Sequence, residues 1–205
     1  MQNLDTALAA AKLNIPVSTA IATSVLGVSF PPSQGAFSEA SSADMTGIAG
    51  FLASKKTPLL VNVYPYFAYA SQSEDARLDY ALFAANGTVV VDGALNYANL
   101  FDAIVDAIYS ALEKAGHPDV SVVVSETGWP SAGGAVGATL ENAMTYNNNA
   151  VAHVTSSTGT PKRPGNAIET YIFATFNEDL KPVGVERNFG LYYPNMTEVY
   201  HVNFP

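Results

Sequence analysis

Helix and strand patterns alternate four times along this chain, and this alternation is what most constrains its fold. Apolar residues at helical spacing predict helices, and apolar β-branched runs bounded by Gly and Pro predict strands. The predicted helices span 3–13, 43–55, 97–115 and 139–155, and the predicted strands span 17–22, 58–66, 120–125 and 167–176. A small hairpin is also predicted at 80–92, around Asn86-Gly87. Such alternation favours parallel strands joined by crossover helices, and therefore an α/β fold.

The alternation continues through residues 1–205 without a linker or a shift in composition, which predicts one structural unit. A closed (β/α)8 barrel needs eight helix–strand units and about 250 residues. The four units found here would therefore supply roughly half of such a barrel.

Composition excludes several classes of protein. With 48% hydrophobic and 13% charged residues the chain can bury a core. Its net charge of −9 argues against nucleic acid or an anionic membrane as partner. The absence of cysteine excludes a disulfide scaffold and a thiolate metal site, and the three histidines lack metal-ligand spacing. We therefore predict no metal and no cofactor. No apolar run is long enough to span a membrane, and no signal peptide is evident.

The third predicted strand ends in a carboxylate. Three valines at 122–124 lead to Glu126, and Gly128 and Pro130 then end the strand. Trp129, the single tryptophan, lies in the turn. Catalytic side chains of βα architectures lie at the carboxyl ends of the strands, so Glu126 is the first candidate for a catalytic residue. A carboxylate followed by an aromatic platform is what a sugar-cleaving site requires.

Other polar and aromatic residues follow the neighbouring strands. The second strand leads to Asn62, Tyr64 and Tyr66. Along the last strand, Glu169 shares a face with Phe173 by the period of two, and Glu178 lies beyond its end. Two alternatives stay open from the residues alone: Glu178 as an ordinary solvated loop residue, and Glu169 as the partner of a buried polar group.

The segment from Val124 to Ser131 (VSETGWPS) resembles the signature of the plant endo-β-1,3-glucanases of glycoside hydrolase family 17. Further segments match in the family's order. They are 61–66 (VNVYPY), 80–83 (YALF), 99–102 (NLFD), 176–178 (FNE) and 189–195 (FGLYYPN).

This resemblance implies a (β/α)8 barrel that cleaves internal β-1,3 bonds of glucans with retention, using two carboxyl groups and no cofactor. Glu126 matches the family nucleophile. Substrate-binding positions are then expected at Asn62, Tyr64, Trp129, Glu169, Phe173, Glu178 and Lys181. Tyr64 and Trp129 would form aromatic walls of the sugar groove. The full-length parent is expected to be a monomer that is secreted to the cell wall and acts on β-glucan, with glycosylation sequons at Asn86 and Asn195.

The sequence departs from the family pattern at the general acid. The family carries this residue in a Gly-Asn-Glu segment, whereas the nearest string here, at 165–167, is Gly-Asn-Ala. Residues 1–13 resemble the helix that follows the missing strand. We therefore expect the chain to be the C-terminal portion of such an enzyme, with its general acid absent. Alone, it should be unstable or associate, and it should hydrolyse laminarin negligibly.

Three other functions remain open at this level. The first is a mixed-linkage β-1,3-1,4-glucanase, since residue types do not decide linkage. The second is a non-catalytic glucan-binding protein that keeps the aromatic groove, although such a protein would not need Glu126. The third is a fragment without activity of its own.

Overall fold

The computed structural model describes residues 1–71 and 77–205. Its helices are α1 (Gln2–Ala10), α2 (Glu39–Lys55), α3 (Pro65–Ser71), α4 (Leu78–Ala81), α5 (Leu100–Lys114) and α6 (Leu140–Thr155). Its strands are β1 (Ala20–Ala22), β2 (Leu26–Val28), β3 (Ala36–Phe37), β4 (Leu59–Asn62), β5 (Val90–Asp92), β6 (Leu95–Tyr97), β7 (Val122–Thr127), β8 (Gly159–Thr160), β9 (Arg163–Pro164) and β10 (Thr170–Ile172).

One four-stranded sheet organises the molecule. Its order is β1-β4-β7-β10, and every neighbouring pair is parallel. Helices α2, α5 and α6 lie in sequence between these strands. The predicted helix–strand alternation is confirmed, and all four carboxyl ends lie at one edge of the sheet. The outer strands are β1 and β10.

The main core lies between this sheet and its helices. Apolar side chains of β4, β7, α2 and α5 form one cluster, with members such as Leu52, Val61, Val105, Ile108 and Val124 at or near zero exposure. Helix α5 begins where the Asn99 side chain accepts a hydrogen bond from the amide of Asp102, at 2.8 Å. Its apolar residues recur on one face, so the helix is positioned by packing on the sheet.

The predicted hairpin at 80–92 is wrong in its position. Residues 78–81 form α4, and the hairpin pairs β5 with β6. Its turn contains Gly93, whose φ of +63° lies in the region that glycine tolerates best. The Asn86-Gly87 signal marks an exposed loop instead. The last strand is also shorter than predicted, because its pairing with β7 is confined to β10. The backbone of 174–177 is hydrogen-bonded instead to that of 189–192.

A buried carboxyl group fastens two hairpins to α5. Asp106 is fully buried, and its Oδ2 accepts hydrogen bonds from the Tyr97 hydroxyl at 3.0 Å and from the Lys162 amide at 2.9 Å. Tyr97 belongs to the β5–β6 hairpin, and Lys162 lies in the turn between β8 and β9. Burial raises the pKa of the Asp106 carboxyl to about 6.

We expect the free energy of unfolding to fall as the pH rises from about 4 to 6. The folded state holds the Asp106 proton more tightly than the unfolded state does, so folding is favoured where the proton stays bound. The contribution is on the order of 2–3 kcal/mol. Urea unfolding of the full-length parent from pH 4 to 7.5 measures it. Asp106→Asn should flatten this dependence, whereas Asp44→Asn at an exposed site should leave it unchanged. If the free energy of unfolding changed with pH equally in Asp106→Asn and in the unmutated protein, Asp106 would not be the source of the pH dependence.

None of the helices in residues 1–71 and 77–205 combines the length and the apolar character needed to cross a membrane.

Candidate active site

Glu126 lies on the face of the sheet opposite the helices, because β7 contains one extra residue. Val61 is aligned with Val124, whereas Asn62 is aligned with Glu126, so Ser125 has no partner on β4. The pairing with β10 shows the same shift, since Thr170 aligns with Val124 and Ile172 with Thr127. This is a β-bulge, which re-aims the side chains that follow it.

The bulge exchanges the two faces of β7. Val122 and Val124 pack into the core beneath the helices, and a regular strand would send Glu126 to that same side. After the bulge it is Thr127 that faces the helices, where its hydroxyl is hydrogen-bonded to that of Tyr146 on α6 at 2.5 Å. Glu126 is therefore presented on the opposite face, at the carboxyl end of the strand.

Two residues at the end of β4 hold this arrangement. The Tyr64 hydroxyl donates to Glu126 Oε2 at 2.7 Å, and the Ser125 hydroxyl donates to Asn62 Oδ1 at 2.8 Å. The amide of Val63 also donates to the carbonyl of Glu126 at 2.8 Å. Burial, followed by the hydrogen bond and charge of Glu126, raises the pKa of Tyr64 far above its usual value, so the phenol remains a donor.

The contacts extend from Tyr64 to three more residues singled out from the sequence. The Tyr64 and Phe173 rings meet edge to face, with centroids 6.3 Å apart. Lys181 Nζ lies 4.7 Å from the centroid of Phe173 and 2.8 Å from Glu178 Oε2. The structure thus brings Glu126, Tyr64, Phe173, Lys181 and Glu178 into one continuous set of contacts.

A glycine allows the close approach of β10 to β7. A Cβ atom at Gly128 would lie 2.2 Å from the carbonyl oxygen of Phe173. The amide of Phe173 donates to the carbonyl of Thr127 at 2.7 Å in this same contact. Any larger residue at 128 would push Phe173 away from its place beside Tyr64.

Sequence reasoning missed the acidic residue Glu186. It lies in the short 3-10 helix Val185–Arg187, and one of its oxygens is 4.0 Å from Lys181 Nζ. Its negative charge adds to the effect of burial in raising the pKa values of Tyr64 and Tyr66. Glu186 therefore contributes negative potential at the Tyr64 side of the site. No strand or turn pattern marks this position in the sequence.

Two aromatic residues of the site were also missed. Phe189 contacts both Tyr64 and Phe173, at centroid distances of 5.8 and 5.7 Å. Phe67 contacts Tyr64 at 5.3 Å and Phe189 at 6.1 Å. We call the group of Tyr64, Phe67, Phe173 and Phe189 the aromatic floor. Phe189 lies in the segment 189–195, which matches the family pattern, and that match could have identified it as a residue of the site.

The predicted role of Trp129 as a wall of the groove is wrong. Its side chain has no exposed surface, and its ring packs against Tyr66, Tyr69 and Tyr146 at centroid distances of 5.1–5.8 Å. Its indole N–H donates to the carbonyl of Gly137 at 2.8 Å. Trp129 therefore fastens the loop after β7 to α3 and α6, and a sugar cannot reach it.

Glu169 also lies outside the contacts around Glu126. It precedes β10, and its Oε1 accepts a hydrogen bond from the Tyr171 hydroxyl at 2.7 Å, both side chains being exposed. In the described part of the chain, no group of three or more His, Asp or Glu residues is arranged to hold a metal ion.

Comparison with known sequences agrees with this geometry. A model of the glycosyl hydrolases family 17 matches residues 1–204. A putative glucan endo-1,3-beta-glucosidase GVI of Hordeum vulgare is 59% identical over all of this chain and 63% of its own length. Lichenase-2 of the same species is 51% identical over all of this chain and 64% of its own length. The chain thus spans somewhat less than two thirds of these relatives.

Solved structures agree as well. A β-1,3-glucanase and allergen of Cryptomeria japonica pollen superposes with a TM-score of 0.95 and is 53% identical, over 99% of this chain and 63% of its own. One of two plant beta-glucan endohydrolases with distinct substrate specificities gives the same TM-score at 51% identity, over all of this chain and 66% of its own. The four parallel strands are part of a (β/α)8 barrel, as predicted from the resemblance. The chain belongs to glycosyl hydrolases family 17.

Proposed function

We propose that the full-length protein containing this chain hydrolyses internal β-1,3-glucosidic bonds of β-glucans with retention of configuration. The observation that carries the proposal is Glu126, which the bulge of β7 presents at the carboxyl end of the strand, hydrogen-bonded to Tyr64. It is supported by relatives that are named glucan endo-1,3-beta-glucosidases, at 55–59% identity for two from barley.

The reaction follows from the position of Glu126. Its carboxylate attacks the anomeric carbon while the bond to the leaving oxygen breaks, and a carboxylic acid protonates that oxygen. Water then attacks the same carbon of the glycosyl ester and gives a proton to the deprotonated acid; the ester bond breaks, which releases the sugar and restores the Glu126 carboxylate and the acid. The family places the acid in a Gly-Asn-Glu segment that residues 1–205 lack, so we assign proton donation to a group outside this sequence.

The neighbours of Glu126 have separate parts in this proposal. Tyr64 holds the attacking carboxylate by one hydrogen bond. Asn62 braces the bulge through Ser125. Glu178 and Lys181 form an ion pair at the groove, where both can bind sugar hydroxyls. Phe173, with Lys181 over its ring, forms part of the aromatic floor under the substrate.

A mixed-linkage activity is the second candidate, because one relative of comparable identity is named Lichenase-2. The test is to incubate the full-length parent with laminarin and with β-1,3-1,4-glucan, and to follow the anomeric protons by NMR. We expect laminarin to be cleaved to oligosaccharides whose new reducing ends are first β. New reducing ends that are first α would contradict the role of Glu126 as a nucleophile. Faster cleavage of the mixed-linkage glucan than of laminarin would favour the second candidate.

Tyr64→Phe should lower kcat by about 10- to 100-fold and leave KM nearly unchanged. The substitution keeps the ring in the aromatic floor and removes only the hydrogen bond to the carboxylate, a bond of a class worth about 1.5–3 kcal/mol. Steady-state kinetics on laminarin measure the change. Tyr69→Phe is the matched control, since Tyr69 packs on Trp129. A rise in KM at constant kcat would instead make Tyr64 a substrate-binding residue.

We also propose that the full-length parent is secreted to the cell wall and acts there as a monomer on β-glucan. Asn86 and Asn195 are exposed, so a glycan could be attached to either sequon without disturbing the core. Expression with the native leader in plant cells, followed by peptide-N-glycosidase treatment of the medium, tests secretion and glycosylation together. Protein retained inside the cells would contradict the proposed destination.

A further inference from the structure

We propose that Tyr146 of α6 is a positioning residue for Glu126, acting through the hydroxyl of Thr127. The inference rests on the proposed function and deepens it, since it names what keeps the nucleophile on the face of the sheet opposite the helices. Tyr146 lies on the helix side of the sheet, and its hydroxyl is bonded to Thr127 and not to the carboxylate.

Glu126 has its orientation only while β7 keeps its bulge. Val61 is aligned with Val124. If the pairing continued regularly from there, Glu126 would be aligned with Val63 and would face the helices, as Val124 does. The bulge therefore decides whether the carboxylate lies on the open face of the sheet or in the core beneath α6.

The backbone hydrogen bonds of β7 fix the position of its end along the strand. The amide of Val63 donates to the carbonyl of Glu126, and the amide of Phe173 donates to the carbonyl of Thr127, at 2.8 and 2.7 Å. These bonds join peptide groups, so they do not recognise which side chain is presented on each face. Side-chain contacts must make that distinction, and Thr127 makes one on the helix side.

The contact between Thr127 and Tyr146 is polar and lies in the core. Both residues are completely buried, and their hydroxyl oxygens are 2.5 Å apart. Within residues 1–71 and 77–205 neither hydroxyl has another hydrogen-bond partner. A change of β7 to the regular register would break this bond, and it would bury Glu126 among the apolar and aromatic residues around Tyr146.

Tyr146 is a rigid reference point for the end of β7. Its ring centroid lies 5.5 Å from that of Trp129 and 5.6 Å from that of Phe83. Thr127 is β-branched, so its side chain has few rotamers. Because a fixed ring is joined to a stiff side chain, α6 holds Thr127 in place, and Glu126 is one peptide bond away.

The experiment compares Tyr146→Phe, Thr127→Val and the double variant in the full-length parent. The reactivity of Glu126 is measured with a 2-deoxy-2-fluoro-β-laminaribiosyl fluoride. The carboxylate forms a bond to the anomeric carbon as the bond to fluoride breaks, and mass spectrometry counts the stable ester. We expect the trapping rate at saturation, and kcat on laminarin, to fall about tenfold with KM nearly unchanged.

Two internal comparisons test the contact itself. The single and double variants should share one value of kcat, because each removes the same hydrogen bond. Thr127→Ser, which keeps the hydroxyl, should recover most of the kcat that Thr127→Val loses. Losses that add up in the double variant would show that Tyr146 and Thr127 act separately, and would overturn the proposal.

Tyr200→Phe is the matched control. Tyr200 is a buried tyrosine whose hydroxyl accepts a hydrogen bond from Asn147 of the same helix, at 2.6 Å. Its loss should lower the free energy of unfolding and leave the trapping rate unchanged. If Tyr200→Phe slowed trapping as much as Tyr146→Phe, Tyr146 would only support α6 in general. An unchanged trapping rate in both Tyr146→Phe and Thr127→Val would also overturn the proposal.

Amide hydrogen exchange over residues 122–128 separates this inference from the proposed function, because it requires no activity. We expect exchange to become about tenfold faster in Tyr146→Phe and Thr127→Val, but not in Tyr200→Phe. A parent that is neither trapped nor able to cleave laminarin refutes the hydrolase. Unchanged exchange in the two variants refutes the role of Tyr146, whether or not the parent is active.

Discussion

Glu126→Gln should reduce hydrolysis of laminarin by the full-length parent at least about a thousandfold, with the fold unchanged. Glutamine has the same shape as glutamate, and its Oε1 can still accept the hydrogen bond from Tyr64. It cannot form the glycosyl ester, because the neutral amide is a poor nucleophile. Binding of laminari-oligosaccharides should persist, which separates lost chemistry from lost affinity.

The control for this substitution is Glu141→Gln, which removes an exposed carboxylate from α6 and should retain full activity. A sharper readout comes from Glu126→Ala with azide and an activated aryl β-glucoside. Azide would occupy the space of the missing carboxylate, form a C–N bond to the anomeric carbon and expel the phenolate, giving the α-glycosyl azide. Retained turnover by Glu126→Gln would remove this residue as the nucleophile.

The sequence was sufficient to predict the order of elements that positions Glu126. The mainly apolar segment at the start of the predicted strand 58–66 and the three valines at 122–124 are strong strand signals, and both form central strands of the sheet. The face on which Glu126 lies was not predictable. By the alternation of a regular strand it shares a side with Val124, and only the unpaired Ser125 moves it to the other face. Bulges depend on the register of the neighbouring strands, which local sequence does not encode.

In the remainder of the site, residues that directly follow a strand were predictable from the sequence, and residues further along the loops were not. Residues that directly follow strands, such as Tyr64 and Glu178, were singled out because parallel strands end at one edge. Glu186 and Phe67 lie in short helices after the strands, and their contribution depends on how those segments fold back. Trp129 was misassigned because an aromatic residue beside a catalytic carboxylate suits a sugar platform and a buried anchor equally well, and only burial decides between them.

Trp129→Ala should lower the free energy of unfolding by about 3–5 kcal/mol, the range seen when large buried aromatic residues are truncated. The indole is completely buried among three tyrosine rings, and its N–H bonds to the carbonyl of Gly137. Removing it leaves a cavity between α3 and α6, whereas the Gly137 carbonyl keeps its hydrogen bonds from the Asn142 side chain and the Thr139 amide. Urea unfolding of the full-length parent and variant, with the m-values compared, measures the loss.

Trp129→Phe is the graded variant, since it keeps a ring against Tyr66 and Tyr146 and removes the hydrogen bond. It should lose clearly less stability than Trp129→Ala. At a temperature where Trp129→Ala remains folded, its KM for laminarin should stay near that of the parent, because no atom of the indole faces the groove. If Trp129→Ala kept the stability of the parent but lost affinity for the oligosaccharide, the indole would have to contact the sugar. The assignment of Trp129 as a buried packing residue would then be wrong.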